Sequence, residues 1–361
     1  MTLLMGMMVS AFAADGTAGY NKGYVIADGE NFKMKIGGRV QPRFVFEGND
    51  DFSDNDMAFE VTRARLKFGG HVWDPNLKYL IQLDAGKGFV SLKDYYVDYM
   101  VTENVAVRTG QFKKYASRQQ LASTDSIHLI ERSITDKEFD YGRDTGILLV
   151  RELKKSGGLE WGVGLYNGNG DKGRFSGDTT VDVTTGEGEV TGKFNNVPDV
   201  FGPLAVARIG YGTLGNWKEN DLEGGALRWH AGGGVMANFD ADDNDDGLVV
   251  ANIDYIVKAH GFSHTGAFYM GMDQHGTAFT DQALTRTAFH AQAGYVIGGK
   301  VEPAVRYAMV MPTDGDATTE MGGGVNVYWR QHNWKWQTDV VRVETAGVSS
   351  TLARSQVQLK F

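Results

Sequence analysis

From Phe32 onward the chain alternates apolar and polar residues with period two, in segments of about ten residues separated by turn-forming stretches. Phe32, Met34, Ile36, Val40, Phe44 and Phe46 share one parity, while Lys33, Lys35, Arg39, Gln41 and Arg43 share the other. Ala64, Leu66, Phe68 and Val72 alternate in the same way with Arg63, Arg65 and Lys67. A charge facing hydrocarbon at mid-bilayer costs about 2–4 kcal/mol. Three charges on one parity must therefore point into water, and the apolar parity must face lipid. Together with 32–46 and 63–72, strands are predicted at 77–83, 92–100, 105–112, 145–151, 159–166, 204–211, 226–238, 248–257, 262–270, 288–297, 301–310, 323–330, 334–343 and 351–361. These segments make an all-β chain, a transmembrane antiparallel β-barrel of about 16 strands around a wet lumen.

The connections alternate in length, as a barrel with short periplasmic turns and longer outer loops requires. Short turns fall at 73–76, 101–104, 298–299 and 331–333, and longer links at 48–56, 113–141, 167–200, 240–247, 271–286 and 312–320. The link 213–225 breaks the rule, being long where a periplasmic turn belongs, so either it carries a small excursion or the register slips there. All seven Trp residues (Trp73, Trp161, Trp217, Trp229, Trp329, Trp334 and Trp336) lie near links assigned to the periplasmic side, as an interfacial aromatic belt predicts. Ala353, Ser355, Val357, Leu359 and Phe361 alternate with Arg354, Gln356, Gln358 and Lys360. That last strand would be an unprotected apolar edge unless it closed against the first.

Composition changes this picture little. Gly is high at 48, Pro low at 6, Cys absent, and no apolar run is long enough for a membrane-spanning helix. A net charge of -9 supplies no basic footprint for nucleic acid. The apolar stretch 3–12 ends in Ala11-Phe12-Ala13, a small-x-small cleavage pattern, but carries no Lys or Arg before it. The expected organisation is a signal peptide over 1–13, shortened at its start, a periplasmic N-terminal segment over 14–30, and the barrel over 31–361.

Gly110-Gln111-Phe112-Lys113, Ser117-Arg118-Gln119-Gln120-Leu121 and Gly142-Arg143-Asp144-Thr145-Gly146 resemble the phosphate-selective porin O and P family. So do Arg63-Ala64-Arg65-Leu66-Lys67-Phe68, Tyr166-Asn167-Gly168-Asn169-Gly170, and Glu302 with Arg306-Tyr307. The resemblance implies a trimeric, sixteen-stranded porin in the outer membrane of a Gram-negative bacterium, whose third outer loop folds inward to narrow the pore. The third outer link suits that role: a connection of its length is usually functional. Ser117-x-x-Gln120 and Thr135-x-x-Glu138 in it read as capping boxes, and Leu121, Ile127, Ile130 and Ile134 as a packing face.

Arg39, Arg43, Arg63, Arg65, Lys67, Arg108, Lys113 and Arg118 are the candidate pore-lining, anion-binding residues, since guanidinium forks suit oxyanions such as phosphate. Asp84, Asp94 and Asp98 on lumen parity, and Asp125, Glu131, Asp136 and Glu138 in the third link, oppose them. The two channel readings are thus anion preference and a general diffusion pore with a mixed field. Readings of another class are a barrel enzyme or a plugged structural barrel. The expected partners are outer-membrane lipid and lipopolysaccharide, small permeating solutes and two further copies of the chain. No cofactor or metal is implied. Asp242-Asp243-Asn244-Asp245-Asp246-Gly247 matches the opening of a calcium loop, but Ile253 stands where the bidentate Glu belongs. His260 and His264 share no helical face, and Ser263-His264 is no more than an adjacent pair. The zinc-protease and nucleophile-elbow motifs do not occur.

Overall fold

A computed structural model of the chain describes residues 19–20, 23–49, 54–139, 142–168, 170, 174–181, 188–195, 202–238, 248–273 and 285–361. Sixteen antiparallel strands form one wall: β1 Phe32–Asn49, β2 Asn55–Val72, β3 Asp74–Asp84, β4 Ser91–Met100, β5 Ala106–Lys113, β6 Arg143–Arg151, β7 Glu160–Tyr166, β8 Leu204–Gly212, β9 Arg228–Asn238, β10 Leu248–Ala259, β11 Phe262–Asp273, β12 Thr285–Tyr295, β13 Val301–Pro312, β14 Thr318–Arg330, β15 Trp334–Thr345 and β16 Val348–Lys360. Each pairs with the next, and β16 pairs with β1 from Ser350↔Asn49 to Lys360↔Arg39, so the barrel is closed. The final peptide joins this seam: Gly38 N donates to Phe361 O (2.8 Å) and Phe361 N to Gly38 O (3.0 Å). All sixteen predicted segments are strands.

The wall is inside-out relative to a water-soluble protein. Ile147, Leu149, Val163, Leu165, Ile209, Val305 and Val340 are exposed on its outer face, whereas Arg208, Asp254, Glu302, Arg306, Gln337, Asp339 and Gln356 are buried within. With pleat period two, this distribution follows from the alternation alone. The alternation is interrupted once in β2. Gln41 pairs with Arg63 but Pro42 with Val61, so Thr62 is an extra, bulged residue and the parity reverses across it. Arg63 and Arg65 consequently point inward while Met57, Phe59 and Val61, of the same odd parity, point outward.

Short turns mark the periplasmic end. Trp73 (φ 61°) alone separates β2 from β3, and His260-Gly261 (φ 50° and 90°) close β10 onto β11 with both residues left-handed, as a two-residue type I′ hairpin needs. At the outer end the fourth link carries its own hairpin, Arg174–Val181 with Gly188–Asn195. Tyr24–Asp28, within the predicted N-terminal segment, pairs with the foot of β1 at Lys33 to Ile36, below the stretch that β16 covers. The predicted signal peptide (1–13) and the acidic Asp242–Gly247 segment lie outside the described residues.

The link 213–227 is not a simple turn. It folds up into the barrel, burying Leu214, Glu219, Asn220 and Asp221. Its length thus follows from its position inside rather than from a slip of register. Trp217, assigned above to the interfacial belt, goes inward with it and packs edge-on against His230 with Arg208 over its ring. Trp73, Trp229, Trp329 and Trp334 are exposed, as a belt requires.

Candidate functional site

The described part of the third outer link, 114–139 (L3), crosses the lumen and lies on the inner face of the later strands. It contains two single-turn helices, α1 Arg118–Leu121 and α2 Ile134–Glu138. The predicted capping boxes do not form. Neither flanking serine, Ser117 or Ser133, makes a side-chain cap, and Thr135 sits inside α2 with its hydroxyl on His290 (3.0 Å). Wall carboxylates cap instead: Arg118 N donates to Asp254 (3.0 Å) and Ile134 N to Glu320 (3.0 Å). Ile130 N similarly reaches Asp339 (2.9 Å). Orphan N–H groups at a helix start need such acceptors, and here tertiary structure supplies them.

An apolar cluster backs the loop. Phe112, Tyr115, Ala116 and Phe139 pack with Leu148, Tyr166, Val206, Met236 and Tyr269, and the Phe139 and Tyr269 rings stack at 5.5 Å. Wall glycines make room: a Cβ on Gly234 would stand 2.4 Å from Ala116 O, and one on Gly294 2.6 Å from His128 Nδ1.

The inward turn meets L3 from below. Glu219 N donates to Ser126 O (2.9 Å), His128 N to Glu219 Oε2 (3.0 Å), and Gln292 Nε2 to the same oxygen (2.6 Å), while Arg118 pairs with Glu219 Oε1 at 3.3 Å. Asn220 donates to Glu302 (2.5 Å), which also accepts from Asn326 and Tyr328. Loop and turn together fill the half of the lumen bounded by the later strands.

Ser263, His128 and Glu302 stand in line there, with Ser263 Oγ 3.3 Å from His128 Nε2 and His128 Nδ1 2.9 Å from Glu302. This is the order of a nucleophile, base and orienting acid. All three are 0–1% exposed and the site is close-packed, so no substrate reaches the serine. The three fasten L3 to β11 and β13. His264, dismissed as a partner of Ser263 on adjacency alone, stacks on Tyr255. Among the described residues no cluster of His, Asp or Glu is arranged for a metal ion.

The other half of the lumen, along β1–β4 and β16, holds three cavities. Near the periplasm Lys33, Lys35, Lys67 and Lys78 face Asp98. At the level of L3, Arg39, Arg65, Lys67 and Lys360 surround Ser123 and Asp125. Toward the outside, Arg43, Arg63, Arg65, Lys87, Lys93, Lys137 and Arg354 face Glu47, Asp56, Glu60, Asp84 and Glu131. Cations outnumber acids at every level.

Five of the eight predicted site residues, Arg39, Arg43, Arg63, Arg65 and Lys67, line these cavities. L3 carboxylates meet three of them: Glu131 bridges Arg43 (2.5 Å) and Arg63 (2.7 Å), and Asp125 lies 3.7 Å from Arg39 and 2.7 Å from Lys360. Burial alone would raise both carboxyls. For Glu131 the two arginines outweigh it, and for Asp125 Lys360 and Arg39 do, holding each well below the ordinary carboxylate range. Arg65 pairs with Asp84 (2.7 Å), and Lys67 has no ion pair among the described residues. The other three lie outside these cavities. Arg108 is held by Asp98 and Glu152 with its guanidinium 4.1 Å over Tyr96. Lys113 donates to the carbonyls of Gln120, Leu121 and Ala122 at the end of α1. Arg118 is fully buried and does not line the channel. Period-two parity places a residue inside, but not on the open side. The missed cations Lys33, Lys35 and Lys360 carried the same parity signal as Arg39.

The family model for phosphate-selective porin O and P matches residues 34–359. An anion-selective porin from Comamonas acidovorans is similar in structure, with TM-score 0.62 and 12% identity over 91% of this chain and 99% of that one. The outer membrane channel DcaP of Acinetobacter baumannii follows with TM-score 0.60 and 14% identity over 96% and 100%. OmpT of Vibrio cholerae, in a trimer form, gives TM-score 0.56 and 11% identity over 91% and 99%. No curated protein sequence matches.

Proposed function

We propose, from the premise that the chain belongs to the phosphate-selective porin O and P family, that it is an outer-membrane diffusion channel preferring small hydrophilic anions. The observation that carries the preference is the excess of cations at every level of the open lumen, in a chain whose total charge is -9. A narrow, low-dielectric passage lined by guanidinium and ammonium groups lowers the barrier for anions and raises it for cations. The channel runs along one wall, off the barrel axis, because L3 and the inward turn occupy the rest. Permeation requires no covalent chemistry, and the sealed Ser263 supports a non-enzymatic role. The apolar outer face suits lipid, with lipopolysaccharide at the outer rim. A homotrimer is the assembly we carry over from the structurally similar OmpT of Vibrio cholerae, described in a trimer form.

The specific point favouring a weaker, mixed selectivity is that Arg39, Arg43, Arg63 and Arg65 each have a carboxylate partner. Reversal potential in a dilute KCl gradient across a planar bilayer decides between the readings. The expected sign is that of chloride. The potassium sign would overturn the anion preference.

A further inference from the structure

We propose that the inward periplasmic turn is a strut that positions L3, with Glu219 as the positioning residue of a channel it never touches; this rests on the channel reading above. The nine helical residues of α1 and α2 are far too few to hold L3 in place by themselves. The loop is held by tethers, and its middle, Ser126 to His128, is held by Glu219 through one backbone pair and one backbone N–H, with Arg118 gripping the same carboxylate. Asp125 immediately precedes that stretch and Glu131 closely follows it. Those are the two L3 carboxylates that neutralise Arg39, Arg43 and Arg63 on the open side. Any displacement of 126–128 moves both carboxylates away from the arginines and uncovers fixed positive charge. Glu219 is buried with Gln292 on its free side, and the other carboxylate beside Arg118, Asp254, is already paired with Arg208.

Replacing Glu219 by Gln removes the charge but keeps the shape. Breaking a buried ion pair from one side should raise the population of a displaced loop by roughly two to three orders of magnitude. In single-channel records Glu219→Gln should therefore show increased open-channel noise with brief closures, and a reversal potential shifted toward chloride. Glu219→Asp should restore part of both. Glu223→Gln, on the same turn but half exposed and paired with Arg228 at the mouth, should match wild type. The discriminating measurement is non-additivity: in an Asp125→Asn, Glu131→Gln background, Glu219→Gln should shift the reversal potential no further, although the noise remains. If Glu219→Gln does not assemble, Gln292→Ala, which removes one tether to Glu219, should give the same changes at smaller size. Folded Glu219→Gln channels with wild-type noise and selectivity would overturn the proposal, as would an additive shift. A wild-type pore without anion preference would overturn the channel reading instead, and leaves the noise comparison decisive for the strut.

Discussion

Leu66 and Arg65 are neighbours in β2 and face opposite media, the first outward and exposed, the second inward against Asp84. A charge on the outer face at mid-height costs about 2–4 kcal/mol, whereas neutralising one inside does not enter hydrocarbon at all. Leu66→Arg and Leu359→Arg should therefore fail to reach the heat-modifiable folded form on gels, and Arg65→Gln should reach it normally. Equal folding of all three would remove the register of β2 and β16. At the same scale, the depressed carboxyl of Glu131 makes a pH prediction. A folded-state value below the unfolded one, about 4.3 for glutamate, means its stabilising contribution is complete above that pH. It is lost only as pH falls through the lower folded value. The difference in reversal potential between wild type and Glu131→Gln should thus persist at pH 4; convergence there would show that the arginine pair does not hold the charge. Which face each residue takes was legible from parity within the predicted segments, though not across the bulge at Thr62. What each cation pairs with was not, because Glu131 and Asp125 come from a loop far off in sequence.

Among the elements, L3 was legible by its length and its apolar residues, and the family resemblance implied that it turns inward. Its local helix signals misled. Ser117-x-x-Gln120 and Thr135-x-x-Glu138 have the spacing of capping boxes, but Asp254 and Glu320 of the wall reach the helix starts first. Short helices take their ends from whatever they pack on. Changing Arg39, Arg63 and Arg65 together to Gln should move the pore toward cations, because Asp84, Asp125 and Glu131 remain while three opposing charges go. The shift should shrink in concentrated salt, where screening reaches only about 3 Å at 1 M. An unchanged reversal potential in dilute KCl would place these arginines off the permeation path. The inward turn announced itself only as an anomalous length, since Glu219 and Asn220 carry no pattern that marks burial.

At the scale of the whole molecule, closure depends on one seam. β16 and Phe361 hydrogen-bond along β1 as far as Gly38, and the Phe361 ring stands 6.4 Å from that of Tyr24 in the N-terminal segment that continues the wall below. Deleting Phe361 removes the pair of backbone bonds to Gly38 where these two pieces meet. The exported chain should then accumulate at reduced level in the outer membrane; wild-type levels would count against the seam as the closing step. Strand number and closure were readable from sequence because every segment repeats the same alternation. The division of the lumen into a filled half and an open half was not, since it arises from contacts between L3 and a turn about ninety residues later.

The bulge at Thr62 makes β2 asymmetric toward insertions and deletions. In a pleated strand, losing one residue ordinarily turns every side chain beyond it to the opposite face. Thr62 has no partner in β1, and the residues on either side already pair with consecutive positions, Gln41 and Pro42. A chain lacking Thr62 would therefore have a regular ladder with Arg63 still inside and Val61 still outside, and no side chain would change medium. Losing Leu66 or Phe59 instead would send half a strand's charges into lipid. Where one residue separates two sequences of this kind in β2, the gap belongs at position 62.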